Sequence, residues 1–134
     1  MFVDASAIVA LLSGEREAER IAHALAAATT SFTSSVAVLE VALALARPDK
    51  FDRAVADIEP LVLAFLNDRD IEIRDLPPGP EAARLALSAA QRFRTGRYGL
   101  NLADCLHYAC AKYYGVPILA TDDEFRRTDL ETIG

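Results

Sequence analysis

The residues with the most chemistry to offer in this chain are its carboxylates. Asp4 ends the short apolar opening run Met1-Phe2-Val3. Glu40 interrupts an apolar helical segment over 36–46. Asp104 follows Asn101 by three positions, and Asp122 and Asp123 close an apolar run over 116–120. Like charges brought together resist joint ionisation unless something neutralises them. A hard divalent cation with oxygen ligands does so, and Mg²⁺ or Mn²⁺ suits carboxylate and water ligands. Sites of that kind activate water and clamp a phosphate for in-line displacement.

Each acid also has an ordinary structural explanation. Asp is a favoured N-cap, so Asp4 can simply start the helix that follows it. Asn101 and Asp104 resemble a capping box, with Asp in place of the usual Glu or Gln, and a first-turn carboxylate suits the helix dipole. Two adjacent acids after a strand can form a turn and a cap, with the Thr121 hydroxyl orienting one of them. Glu40 is the most informative. It is the only charge between Ser35 and Arg47, and its helical neighbours Val36, Ala37, Leu43 and Ala44 are apolar. Glu is almost never fully buried without a partner, because isolating its charge in a low dielectric is costly. Either its head reaches water at the helix rim, or a cation stands beside it.

No other group competes as a nucleophile. His23 and His107 lie in separate helices without a motif and read as surface or core-edge residues. Cys105 reads as a small packing residue. There is no Gly-rich phosphate loop and no metal-type Cys/His spacing.

The elements that must position these acids alternate. After Asp4, residues 5–12 read as a short helix stopped by Ser13-Gly14. Residues 15–28 read as a helix rich in Ala, Glu, Leu and Arg, with Ile21 and Leu25 inward. A short strand is expected around Thr29 to Thr33. Ser34 or Ser35 then caps a helix over 36–46. Residues 49–67 read as helical, with a kink or break near Glu59 ahead of Pro60. Ile71-Glu72-Ile73-Arg74 alternates with period two, as a strand near an edge does. Pro80 suits the first turn of a helix over 81–94. The next helix starts at Asn101, with Leu102, Leu106, Ala109 and Tyr113 on one stripe, and Gly115 ends it. Strands over 116–120 and 130–133 close the chain, with a short helical turn between them. Strands separated by helices predict an α/β sandwich with a mostly parallel sheet, and groups at the carboxyl ends of such strands line the ligand crevice.

Composition sets the remaining bounds. The 134 residues suffice for one domain with its own core. No apolar run reaches the ~20 residues of a membrane helix, and no basic-then-apolar leader opens the chain. The two cysteines, five positions apart in one helical stretch, point to different faces, which argues against a disulfide. A reducing, cytoplasmic setting follows as the expectation. The net charge of −6 is wrong for a protein that holds nucleic acid by charge alone, unless its acids hold metal ions that reverse the local sign.

At these residues the chain resembles the PIN-domain family, and within it the VapC toxins of bacterial toxin–antitoxin pairs. The segments FVDASAIVALL, SSVAVLEVALALA, LNLADCLHYACA and PILATDDEFRRTDL stand in the family's order and approximate spacing, so the likeness spans essentially the whole length as one domain, residues 1–134. The resemblance implies a PIN-like three-layer sandwich with a parallel sheet of four to five strands. It also implies a Mg²⁺-dependent ribonuclease, a homodimer, and inhibition by a small cognate antitoxin. Asp4, Glu40 and Asp104 match the family's three central acids, and Ser6 matches the small hydroxyl residue two after the first. Either Asp122, three before Phe125, or Asp123, two before it, matches the fourth. An acidic protein that reaches RNA through metal ions resolves the charge puzzle. Arg92, Arg94 and Arg97, just ahead of the Asp104 helix, are candidates to hold flanking phosphates; a solvated helix end explains them equally.

Two rivals are weighed against this. A haloacid-type phosphatase needs a second Asp where Ser6 stands, and a response receiver needs a late lysine where neither Lys50 nor Lys112 fits. A PIN-fold binding module without turnover is the other rival, against which the full acid set argues.

Overall fold

The computed structural model describes residues 1–96 and 99–133. Five strands form one sheet: β1 (Phe2–Val3), β2 (Ser31–Ser34), β3 (Ile71–Arg74), β4 (Ile118–Leu119) and β5 (Thr132–Ile133). Every pairing is parallel, in the order β3-β2-β1-β4-β5. Six helices connect the strands: α1 (Ala5–Ser13), α2 (Ala18–Ala27), α3 (Ser35–Ala46), α4 (Val55–Asp68), α5 (Gly79–Phe93) and α6 (Leu102–Tyr114), with a 3₁₀ turn at Glu124–Arg127. This is the expected α/β architecture, a parallel sheet flanked by helices.

The strand order sets the position of any site. The chain moves from β1 outward to β2 and β3, then returns to the other side of β1 to add β4 and β5. The order therefore reverses between β1 and β4, and a crevice opens beyond the carboxyl ends of strands at such a switch point. Asp4 follows β1 directly and Thr121-Asp122 follows β4.

The core sits around the central strands. Phe2, Val3, Ile118 and Leu119 are completely buried, as expected of parallel strands covered on both faces. Phe2 meets Phe32 edge to face at 5.8 Å. Ser34 caps α3 by accepting the Ala37 N–H at 3.3 Å, which turns β2 straight into the helix that carries Glu40. Gly14 and Gly115 end α1 and α6 at φ 64° and 66°, in the left-handed region that costs Gly no Cβ clash. β3 is an edge strand, with Ile71 buried and Ile73 exposed.

Two expectations are corrected. Residues 49–54 are not helical, and α4 then runs unbroken through Pro60. Pro60 and Ala56 both lie on the exposed face, so the carbonyl that loses its partner faces water and the helix tolerates the loss. The inner stripe of α6 also differs. Leu102 is 75% exposed and Tyr113 45% exposed, whereas Cys105, His107, Tyr108, Cys110 and Ala111 are buried with Ala109. Packed against α5 and touching α3 and β1, α6 buries more than one face. Its small residues let it approach its neighbours closely, so side-chain size does not rank burial there. Both cysteines are free thiols in this packing. No helix among the described residues is long and apolar enough to cross a membrane.

Candidate metal centre

Asp4 serves two purposes with its two oxygens. Its Oδ2 accepts the Ser6 N–H at 3.1 Å and the Ser6 hydroxyl at 2.6 Å, and so caps α1. The Ser6 hydroxyl in turn accepts the Thr121 N–H at 3.0 Å, tying the end of β1 to the end of β4. Oδ1 is buried and has no hydrogen-bond partner among the described residues, and Asp4 as a whole is only 4% exposed. The cap and the site thus use different atoms of one side chain. A buried, unpaired carboxylate oxygen is expensive, and it faces the remaining acids.

α3 brings Glu40 and α6 brings His107 to this oxygen. His107 Nε2 lies 3.6 Å from Asp4 Oδ1 and hydrogen-bonds Glu40 Oε1. Asp4, Glu40 and His107 each offer a donor atom within 4.8 Å of the other two. Glu40 keeps its side chain 33% exposed and lines an open cavity of about 430 Å³ with Asp4, Asp104 and Asp122.

Asp104 likewise has a double part. The capping box is formed: the Asn101 N–H donates to Asp104 Oδ2 at 3.1 Å, and the Asp104 N–H donates to Asn101 Oδ1 at 2.8 Å. Its carboxyl is nevertheless pushed up to about 6, by burial first and then by the charges of Asp4 and Glu124, against the opposing Asn101 hydrogen bond. Asp122 also rises to about 6, through burial and the charges of Glu124 and Asp4, with a Thr121 side-chain hydrogen bond opposing. Burial disfavours the His107 cation, but the Glu40 hydrogen bond and the charges of Asp4, Glu40 and Asp104 outweigh it, and its pKa is raised. Burial is the larger cause for the two acids, and neighbouring carboxylates add to it; for His107 the carboxylates act alone and against burial.

The other sequence candidates fall elsewhere. Asp123 points away, 78% exposed and 3.3 Å from Arg126, and does not line the cavity. Arg92 is engaged with Asp129 at 3.5 Å and with the Tyr108 hydroxyl at 3.4 Å. Arg94 follows α5 and is not part of the cavity wall; Arg97 lies outside the described residues. The cations that do line the cavity are Arg47 and Lys50, the latter paired with Glu15 at 2.9 Å. Sequence reasoning missed these two, and Glu15, Glu124 and His107 as well. One signal was available for His107: it stands three after Asp104, a spacing that puts two side chains on one helix face.

The fold and cavity define a parallel α/β protein whose acids gather at the switch point of its sheet. The chain belongs to the PIN-domain family, whose family model matches residues 1–131. It is 33% identical over 133 residues to Ribonuclease VapC42 of Mycobacterium tuberculosis, covering 97% of this chain and 96% of that protein. To Ribonuclease VapC36 of the same species it is 35% identical over 143 residues, covering 100% and 94%. Among solved structures, Mycobacterium tuberculosis VapC20, a Sarcin-Ricin loop cleaving toxin, shares the fold with a TM-score of 0.73 at 17% identity, covering 96% of this chain and 95% of that one. A toxin–antitoxin complex from Klebsiella pneumoniae shares it with a TM-score of 0.68 at 17% identity, covering 99% and 95%.

Proposed function

We propose that this chain is a metal-dependent endoribonuclease and the toxin of a type II toxin–antitoxin pair. The observation that carries the reading is the buried, unpartnered Oδ1 of Asp4 facing Glu40 and His107. It belongs to a chain similar along its length to proteins named as ribonucleases. The donor set fits a hard divalent cation, Mg²⁺ or Mn²⁺, held by Asp4, Glu40, Asp104 and Asp122. When bound, such an ion supplies Lewis acidity toward a phosphoryl oxygen and toward water.

The chain's own residues prepare that chemistry. Ser6 holds Asp4 Oδ2, so Oδ1 stays directed into the cavity. Thr121 fixes the end of β4 through Ser6 and steadies Asp122. Asp104 and Asp122, raised to about 6, give up protons as a cation enters. Asp123 takes the outer position, paired with Arg126. Arg94 and Arg97 are assigned to flanking RNA phosphates; Arg92 joins them only by leaving Asp129 and Tyr108.

The partners follow from the same reading. The exposed Leu39 and Leu43 on α3 support an interface with a second copy of the chain or with an antitoxin, and the acidic cavity favours an antitoxin that brings a basic side chain to it. Cleavage of single-stranded RNA, assayed with Mg²⁺, with Mn²⁺ and with excess chelator, tests the enzyme reading. Cleavage in metal and silence in chelator are expected; full activity in chelator contradicts it. Growth arrest on expressing the chain alone, relieved by the partner protein, tests the toxin reading.

A further inference from the structure

We propose that His107 is a positioning residue for the metal centre: its Nε2–H holds Glu40 Oε1 from behind and leaves the other Glu40 oxygen and Asp4 Oδ1 free for the cation. The proposal rests on the cation-site part of the reading above and not on RNA as substrate.

The geometry carries it. His107 is completely buried, and its ring packs against Phe2 at 5.5 Å between centroids, so packing fixes the imidazole plane. From that fixed plane Nε2 reaches Glu40 Oε1, with Asp4 Oδ1 at 3.6 Å. The backbone of α3 and the backbone of α6 are separate supports, and this hydrogen bond links their two side chains at the site. Without it, Glu40 has three side-chain torsions and a head that is one third exposed; nothing else on the described chain bonds its carboxylate.

The ring's other nitrogen separates positioning from direct ligation. Nδ1 is buried and has no hydrogen-bond partner among the described residues. A histidine that ligates a metal donates its second ring N–H to a carboxylate, a carbonyl or water. Ligation through Nε2 would strand the proton on Nδ1 with nothing to accept it, at the cost of a buried, unsatisfied donor. With the proton on Nε2, the donor faces an ionised acceptor, which is the stronger kind of hydrogen bond. This role needs Nε2 to carry the proton and Nδ1 to be bare, which is the neutral Nε2–H tautomer.

The test is calorimetric titration with Mn²⁺ alone, with no RNA present, on wild type, His107→Phe and His107→Gln. Phe keeps a flat ring and removes the donor; Gln keeps a donor. Loss of an outer-layer partner of this kind lowers metal affinity about 10- to 100-fold, so His107→Phe should lose at least about 10-fold and His107→Gln should recover most of it. In a Glu40→Gln background, His107→Phe should add little further loss. Equal Mn²⁺ affinity in wild type and His107→Phe overturns the proposal. No Mn²⁺ binding by wild type overturns both it and the metal-centre reading. Mn²⁺ binding that depends on His107 in a protein that cleaves no RNA upholds the proposal and rejects the ribonuclease reading. Should His107→Phe fail to fold, ¹⁵N NMR of wild-type imidazole under saturating Mg²⁺ decides: a retained Nε2–H supports positioning, and a proton moved to Nδ1 overturns it.

Discussion

Asp122 and Asp129 stand on the same short C-terminal stretch and meet opposite fates. Asp129 accepts the Tyr108 hydroxyl at 2.8 Å, pairs with Lys112 at 2.7 Å and lies 3.5 Å from Arg92. Burial alone disfavours its charge, but the Lys112 and Tyr108 hydrogen bonds overcome that and hold its carboxyl down at about 2. The price appears on Tyr108, whose hydroxyl is pushed up to about 12 by burial and by Asp129. Asp122, like Asp104, has burial and other carboxylates around it and sits at about 6. The contrast distinguishes two uses of one residue type. An acid whose cations come from its own chain fastens α5 and α6 to the tail. An acid whose neighbours are acids suits a cation supplied from outside, as the proposed function requires.

The largest effect expected from breaking this contrast is at Asp4. Asp4→Asn keeps the Ser6 contacts within reach and removes the charge at Oδ1. Metal supplies several kcal/mol of transition-state stabilisation, so RNA cleavage should fall about a thousand-fold or more, with circular dichroism unchanged. At the other region, Asp129→Asn should lower stability by about 1 kcal/mol, a figure discounted because the side chains of Asp129, Arg92 and Lys112 are each more than a third exposed. That amounts to a melting temperature lower by about 3–5 °C, and Mg²⁺ affinity should not change. An Asp129→Asn protein with weakened Mg²⁺ binding would show that the two regions are not separate.

The two regions also respond to pH in opposite senses. Asp104 and Asp122 bind protons more tightly when folded, at about 6 against 3.8. In chelator, stability should therefore fall as pH rises between these values. His107, also raised above its ordinary 6.5, extends the loss at higher pH. Asp129 is depressed, at about 2 against 3.8, so its contribution is present above 3.8 and vanishes as pH falls through about 2. Saturating Mg²⁺ should remove the first slope and leave the second, and melts across pH in both media measure this. Glu40→Gln gives the smallest change in chelator. It should shift the ion-free protein by no more than about 0.5 kcal/mol, because relief from the neighbouring acids is offset by a weaker hydrogen bond from His107. It should, however, reduce the gain from Mg²⁺.

Four of the six acids that line the cavity were legible because each breaks a local pattern. Asp4 and Asp122 stop apolar strands, Glu40 interrupts an apolar helix face and Asp104 completes a cap. The choice between Asp122 and Asp123 was not legible, because adjacent acids differ only in which way a turn aims them. Arg92 was read as a phosphate contact or a solvated helix end; its pairing with Asp129 joins two elements far apart in sequence, which no local spacing reveals. His107 was passed over for a related reason. A lone histidine without a motif reads as a surface or core-edge residue, and only the fold brings it to Asp4 and Glu40. The α6 stripe failed because a helix buried on more than one face does not follow the amphipathic rule.

The central claim is that the acid cluster is a cation site centred on Asp4. The most direct test is the melting temperature of wild type and Asp4→Asn near neutral pH, titrated with Mg²⁺ and with Mn²⁺ from an ion-free start. The account predicts that wild type gains stability in a saturable way with either ion, and that Asp4→Asn, equally folded, gains little. Equal gains in the two proteins, or none in wild type, would contradict it.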